Sequence, residues 1–164
     1  MKEENRLARN VQRMSDLYPT FRSRLAVVIK AMEARGYRPR IQDAYRSPED
    51  QRAAYEAGHT KLLFGFHNVT GKNGQPEALA VAMLDDDFPL NPRRKYLLCL
   101  AFEAQQAGLT TGVRWGLSDD MAAAIDKAIA TQTWDAPVKI GWDPTHVQPL
   151  DLTVDMAKAG KRPA

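Results

Sequence analysis

Residues 78–84, Ala-Leu-Ala-Val-Ala-Met-Leu, form an unbroken run of small and apolar side chains, closed by Asp85-Asp86-Asp87. A half-exposed strand would alternate polar and apolar positions, so a continuous run of this length suits a strand buried in a sheet. Gly71-Lys72-Asn73-Gly74 supplies turn residues just upstream. The pair predicts a β-hairpin with arms Phe66–Thr70 and Leu79–Leu84.

Helical patterns surround this strand. Leu7, Val11, Met14 and Leu17 recur at helical spacing over residues 3–17, and Pro19 breaks that helix. Thr20 is placed to cap the next helix, which carries Phe21, Leu25, Val28, Ile29 and Met32 on one side and stops at Gly36. Residues 37–45 read as extended, with Pro39 confining them to a sheet edge or a strand start. Ser47 and Pro48 open a helix that runs to Ala57 and stops at Gly58. Asn91-Pro92 opens another that reaches Ala107, and Ser118-Asp119-Asp120 a third, through about Thr131. Residues 137–148 form a last extended segment, and the polar tail from Asp155 is expected to fray. The predicted fold class is α+β: a small, mostly antiparallel sheet with packed helices. It spans residues 1–164 as a single domain, with its core over about 20–150.

Bulk properties exclude several classes. No apolar run approaches a membrane span. Met1 to Leu7 is charged and lacks the apolar stretch of a signal peptide, so the expectation is synthesis in the cytoplasm. The single cysteine, Cys99, lies in an apolar helical pattern and reads as a buried, inert thiol. Residues 1–52 hold 12 basic and 7 acidic side chains. That excess reads as solvated helix faces, because no basic–aromatic interleaving or groove-reading motif points to nucleic acid.

Two of the three histidines sit in motifs that suit a metal. His67 lies in Phe66-His67-Asn68-Val69, and His146 closes Trp142-Asp143-Pro144-Thr145-His146. Neutral imidazole is the commonest zinc ligand, and a nearby carboxylate can serve as a general base. A catalytic zinc usually takes three protein ligands, however, and two histidines leave the set incomplete. The third histidine, His59, follows Gly58 in a loop and reads as exposed.

The order Tyr45-Arg46-Ser47-Pro48-Glu49-Asp50-Gln51, then His67-Asn68, then the small-residue strand, then Trp142-Asp143-Pro144-Thr145-His146 resembles the zinc D-alanyl-D-alanine carboxypeptidase and L-alanyl-D-glutamate endopeptidase family. That family is VanY-like and includes phage endolysins and wall-remodelling enzymes; the resemblance covers roughly residues 20–150. It implies a Hedgehog/D-Ala-D-Ala-peptidase-like fold, zinc as cofactor and peptidoglycan stem peptides as the partner. His67 and His146 become the zinc ligands and Asp143 the general base. Arg46 is implied to stabilise the scissile carbonyl or grip the peptide, with Ser47 and Gln51 beside it in substrate binding. Trp115 and Trp142 are placed to wall the cleft.

The sequence departs from that pattern at one position. The family's remaining zinc ligand is an Asp in an Ala-x-Asp signature, and Ala80-Val81-Ala82 puts Ala82 there. Zinc is therefore expected to bind weakly or not at all. Asp85 is an alternative donor only if a bulge intervenes, since positions 82 and 85 of a regular strand face opposite sides. Two functions follow: a zinc peptidase of the wall, inactivated if Ala82 is the ligand position, or a non-catalytic wall-binding module on the same scaffold. Either is expected to act as a monomer without membrane insertion, reaching the wall after release or secretion.

Overall fold

The computed structural model describes residues 1–164. Six helices surround one four-stranded sheet: α1 (Glu3–Met14), α2 (Pro19–Ala34), β1 (Pro39–Asp43), α3 (Pro48–Glu56), β2 (Val81–Asp85), α4 (Arg94–Gln106), β3 (Leu109–Gly112), α5 (Asp119–Ala130), β4 (Asp143–Pro149) and α6 (Val154–Lys158). The strand order is β1-β2-β4-β3, and every neighbouring pair is antiparallel. The architecture is α+β. No helix is long and apolar enough to cross a membrane.

The small-apolar run supplies a central strand, but not a hairpin arm. β2 pairs with β1 on one side and β4 on the other. Of the predicted hairpin, only a Thr70–Pro76 bridge and single backbone bonds such as Leu79 N–H to Phe66 O remain. Residues 66–68 instead form a 3-10 turn. A strand with both edges occupied has no edge left for residues 66–70, so the turn at 71–74 closes a loop.

The two sheet faces differ in character. Val81, Met83 and Asp85 point to the buried face, whereas Ala82 and Leu84 lie half-buried on the other. Ile41, Leu109 and Val147 join the buried face, where α2 and α4 bring Phe21, Leu25, Met32, Tyr96 and Leu100 into one core. Cys99 is buried there, and burial raises its thiol pKa.

Helix α1 behaves unlike its apolar spacing. Leu7 and Val11 are exposed, while Arg6 and Asn10 are buried. Edge strand β1 explains this. Arg6 Nη1 and Asn10 Nδ2 donate to Pro39 O, Asn10 Oδ1 accepts from Ile41 N–H, and Arg9 donates to Ile41 O and Gln42 O. A free edge carries unpaired backbone groups that must be satisfied or covered. The polar face of α1 does this in place of a fifth strand. Arg6 and Arg38 also hold the Glu3 carboxyl at a pKa of about 2 through hydrogen bonds.

Two termini differ from expectation. Pro19 does not merely break α1; it occupies the first turn of α2, with Tyr18 rather than Thr20 at the N-cap. The fixed φ of proline suits that position. The C-terminal tail does not fray: α6 forms, Thr153 Oγ1 caps it, and Arg162 bonds Glu77 at 2.7 Å and Thr70 O at 2.9 Å.

Candidate active-site cleft

The half-buried face of the sheet places one row of side chains across three strands. Asp43 of β1 is the register partner of Ala82 on β2, and Ala82 is the partner of His146 on β4. Cross-strand partners bring their Cβ atoms to about 5 Å. Gln42 is bulged out between Ile41 and Asp43. Without that extra residue Asp43 would fall on the core face, so the bulge turns its carboxylate toward the cleft.

This row floors a cleft of about 420 Å³ that includes Arg46, Gln51, His67, Trp115, Trp142, Asp143 and Gln148 in its lining. A larger groove of about 570 Å³ lies between the 69–77 turn and the C-terminal segment. It contains neither a histidine nor a tryptophan, so the smaller cleft holds the chemistry.

The two imidazoles converge from different elements. His67 arrives on the 3-10 turn and His146 from β4, and their ring centroids lie 5.4 Å apart with the planes at 80°. His67 Nδ1 donates to Ala44 O at 2.5 Å. Asp143 Oδ2 lies 3.7 Å from His146 Nδ1, and the Trp115 ring lies 5.0 Å from the His146 ring. Trp142, mostly exposed, extends the aromatic wall 5.4 Å from Trp115. Close backbone approach makes this corner possible. A Cβ on Gly112 would meet Asp143 O at 2.1 Å, and one on Gly141 would meet Trp115 N at 2.6 Å. Side chains at these positions would push Asp143 and Trp115 out of the cleft wall.

Arg46 is held rather than free. Its guanidinium donates to Asp43 Oδ2 at 2.9 Å and to Gln51 Oε1 at 3.1 Å. The Gln51 amide also donates to Leu62 O, and Asn68 Nδ2 bonds Arg46 O and Gln51 Oε1. Gln51 is buried, and its bonds support the Arg46 loop. Ser47 lies outside the cleft lining; its Oγ accepts from Asp50 N–H and caps α3. His59 is exposed and does not line the cleft.

Asp85 is on the wrong face to assist the histidines. Its side chain is 0 % exposed and pairs with Arg93 at 3.3 Å. No bulge falls between Ala82 and Asp85 on β2, so strand alternation holds. Asp43, the carboxylate nearest Ala82 in the row, is engaged by Arg46. No three His, Cys, Asp or Glu side chains come together as a metal-holding group. The donor set present therefore does not fit a catalytic zinc centre, which takes three protein ligands.

Burial and the neighbouring His67 lower the pKa of His146 below 6.5, outweighing the hydrogen bond that His146 donates to Gln148 and the charge of Asp143. His146 is thus neutral in the folded chain at pH 7. The unfolded chain binds this proton at higher pH than the folded one, so the associated stability is present above 6.5 and is lost as pH falls through the folded value. Thermal melts should show a decline in Tm below pH 6.5 that His146→Gln reduces. An identical decline in both proteins would show that other groups cause it.

Asp43 and Gln148 are among the lining side chains that residue pattern alone missed. Gln148 follows His146 by two residues on a strand and so shares its face, a signal present in the sequence. Asp43 depends on a bulge that no local motif announces.

Neither a protein-family model nor a curated protein matches the chain. Two solved structures resemble it. One is an L-Ala D-Glu endopeptidase, ChiX, from Serratia marcescens, with TM-score 0.49 and 16 % identity, covering 87 % of this chain and 86 % of that one. The other is a zinc-bound E175A mutant of the vancomycin-resistance D,D-pentapeptidase VanY, with TM-score 0.41 and 17 % identity, covering 85 % and 74 %. Superpositions this loose transfer no role to any residue.

Proposed function

We propose that the cleft receives stem peptides of bacterial peptidoglycan on a zinc-peptidase scaffold and, with Ala82 in the floor, holds them without efficient hydrolysis. The convergence of His67, His146, Asp143 and Arg46 on one cleft carries this reading. They come from three separate segments: the loop before α3 carries Arg46, the 3-10 turn carries His67, and β4 carries both Asp143 and His146. Ala82, directly opposite His146, is what separates binding from catalysis. In this reading the protein works at the cell wall, after release or secretion.

The residues divide the work. Arg46, braced by Asp43 and Gln51, presents fixed N–H groups to a peptide carbonyl or carboxylate. Trp115 and Trp142 offer apolar surface to the peptide, and Asp143 accepts from its N–H groups.

Co-sedimentation with purified peptidoglycan tests the proposal, alongside zinc content and turbidity of a wall suspension. The expected result is wall binding, substoichiometric zinc and little clearing. Arg46→Ala should weaken binding by roughly ten- to a hundredfold, the equivalent of one charge-assisted hydrogen bond. One zinc per wild-type chain with rapid clearing would establish the chain as an active peptidase instead. Absence of wall binding would remove both readings.

A further inference from the structure

We propose that Gln148 is a positioning residue that fixes the tautomer of His146, so that the two cleft imidazoles carry their protons on opposite ring nitrogens. His67 donates from Nδ1 to the Ala44 carbonyl at 2.5 Å, which leaves Nε2 with the lone pair. His146 has Nε2 at 2.8 Å from Gln148 Oε1. An amide oxygen only accepts, so His146 carries its proton on Nε2 and its lone pair on Nδ1.

The consequence falls on Asp143. His146 Nδ1 and Asp143 Oδ2 lie 3.7 Å apart, and with Nδ1 unprotonated both are acceptors. Two acceptors side by side take a donor or a cation between them. Without Gln148 the proton has a better place: on Nδ1, where Asp143 would accept it directly. The resulting bond would close the pair to any ligand. Gln148 prevents that closure by giving the proton a partner on the far nitrogen. Its position follows from strand periodicity, since residues 146 and 148 of β4 share the cleft face. The assignment rests on this hydrogen-bond geometry and not on the wall-peptide reading of the cleft.

Long-range ¹H–¹⁵N correlation of the imidazole nitrogens in the metal-free chain of residues 1–164 reads the tautomers directly. At pH 8, His146 should show a protonated-type shift at Nε2 and an unprotonated-type shift at Nδ1, with His67 showing the reverse. Gln148→Leu should move His146 toward the Nδ1–H form and leave His67 unchanged. Gln148→Glu, whose carboxylate also accepts, should restore the Nε2–H form. A wild-type His146 protonated on Nδ1 would overturn the proposal. So would a Gln148→Leu spectrum in which His146 keeps its original pattern. Should Gln148→Leu fail to fold, the wild-type and Gln148→Glu spectra alone decide the question. Wall binding enters none of these readouts, so failure here and failure of the functional proposal are separable.

Discussion

Ala82→Asp is expected to bind close to one zinc ion per chain under conditions where the wild-type chain retains little. Position 82 is the register partner of His146, half-buried, and part of the cleft lining. A carboxylate there joins two imidazoles already converged at 5.4 Å between centroids. Small structural zinc sites with four ligands contribute about 10–16 kcal/mol, or roughly 3 kcal/mol per ligand. Adding one ligand should therefore raise affinity by about two powers of ten. Titration calorimetry measures the gain, and the melting temperature should rise with added zinc, since a ligand bound only by the folded state stabilises it. Clearing of a wall suspension should appear with the metal. Equal zinc affinity in wild type and Ala82→Asp would show that position 82 does not serve the histidines.

Asp85 supplies the control. Its carboxylate faces the core and bonds Arg93 and the Asp87 amide. Asp85→Asn in the Ala82→Asp background should leave zinc affinity unchanged. Loss of zinc in that double variant would mean that β2 presents its other face to the cleft.

Some of this architecture is legible in the residues and some is not. Helix boundaries set by local chemistry were readable. Ser47 and Ser118 cap α3 and α5, and Gly36 and Gly108 take positive φ just past the ends of α2 and α4. The cleft was legible through side chains whose chemistry is unusual in combination, with His67, His146, Asp143 and Arg46 all meeting there. Features decided by tertiary pairing were not legible. The run 78–84 has the composition of a buried strand, but composition does not say which edges it offers, so a local hairpin was the natural expectation. Helix α1 has apolar residues at helical spacing, yet it buries Arg6 and Asn10, because an exposed edge strand demands polar partners more strongly than the core demands Leu7 and Val11. Strand β3 gave no signal: Leu109-Thr110-Thr111-Gly112 is too short for a period to declare itself.

The acidic run that starts at the last residue of β2 is the sharpest case of tertiary context overriding local expectation, and it carries the largest expected loss of stability. Three consecutive aspartates read as a solvated strand exit. In the fold, only Asp87 approaches that description. The Asp86 side chain is 2 % exposed and lies 3.1 Å from both Arg38 and Arg40 and 3.3 Å from the Met1 ammonium. This cluster balances part of the positive excess of residues 1–52 within the fold. The contacts are ion pairs by distance rather than aligned hydrogen bonds, since Arg40 Nε and Asp86 Oδ2 lack hydrogen-bond partners. Their value therefore lies in charge balance. Removing one partner of a buried ion pair leaves the other uncompensated, at a cost of about 3–5 kcal/mol. The partial exposure of Arg38 and Met1 lets water offset some of this, and Arg40, at 14 % exposed, gains least from it. Asp86→Ala should accordingly cost about 3 kcal/mol in urea unfolding with an unchanged denaturant slope. Asp87→Ala, which breaks a pair with an Asp 40 % exposed, should cost less than about 1 kcal/mol. Equal small losses at both positions would mean that the run is solvated after all and that the arginines of β1 find their charge partners elsewhere.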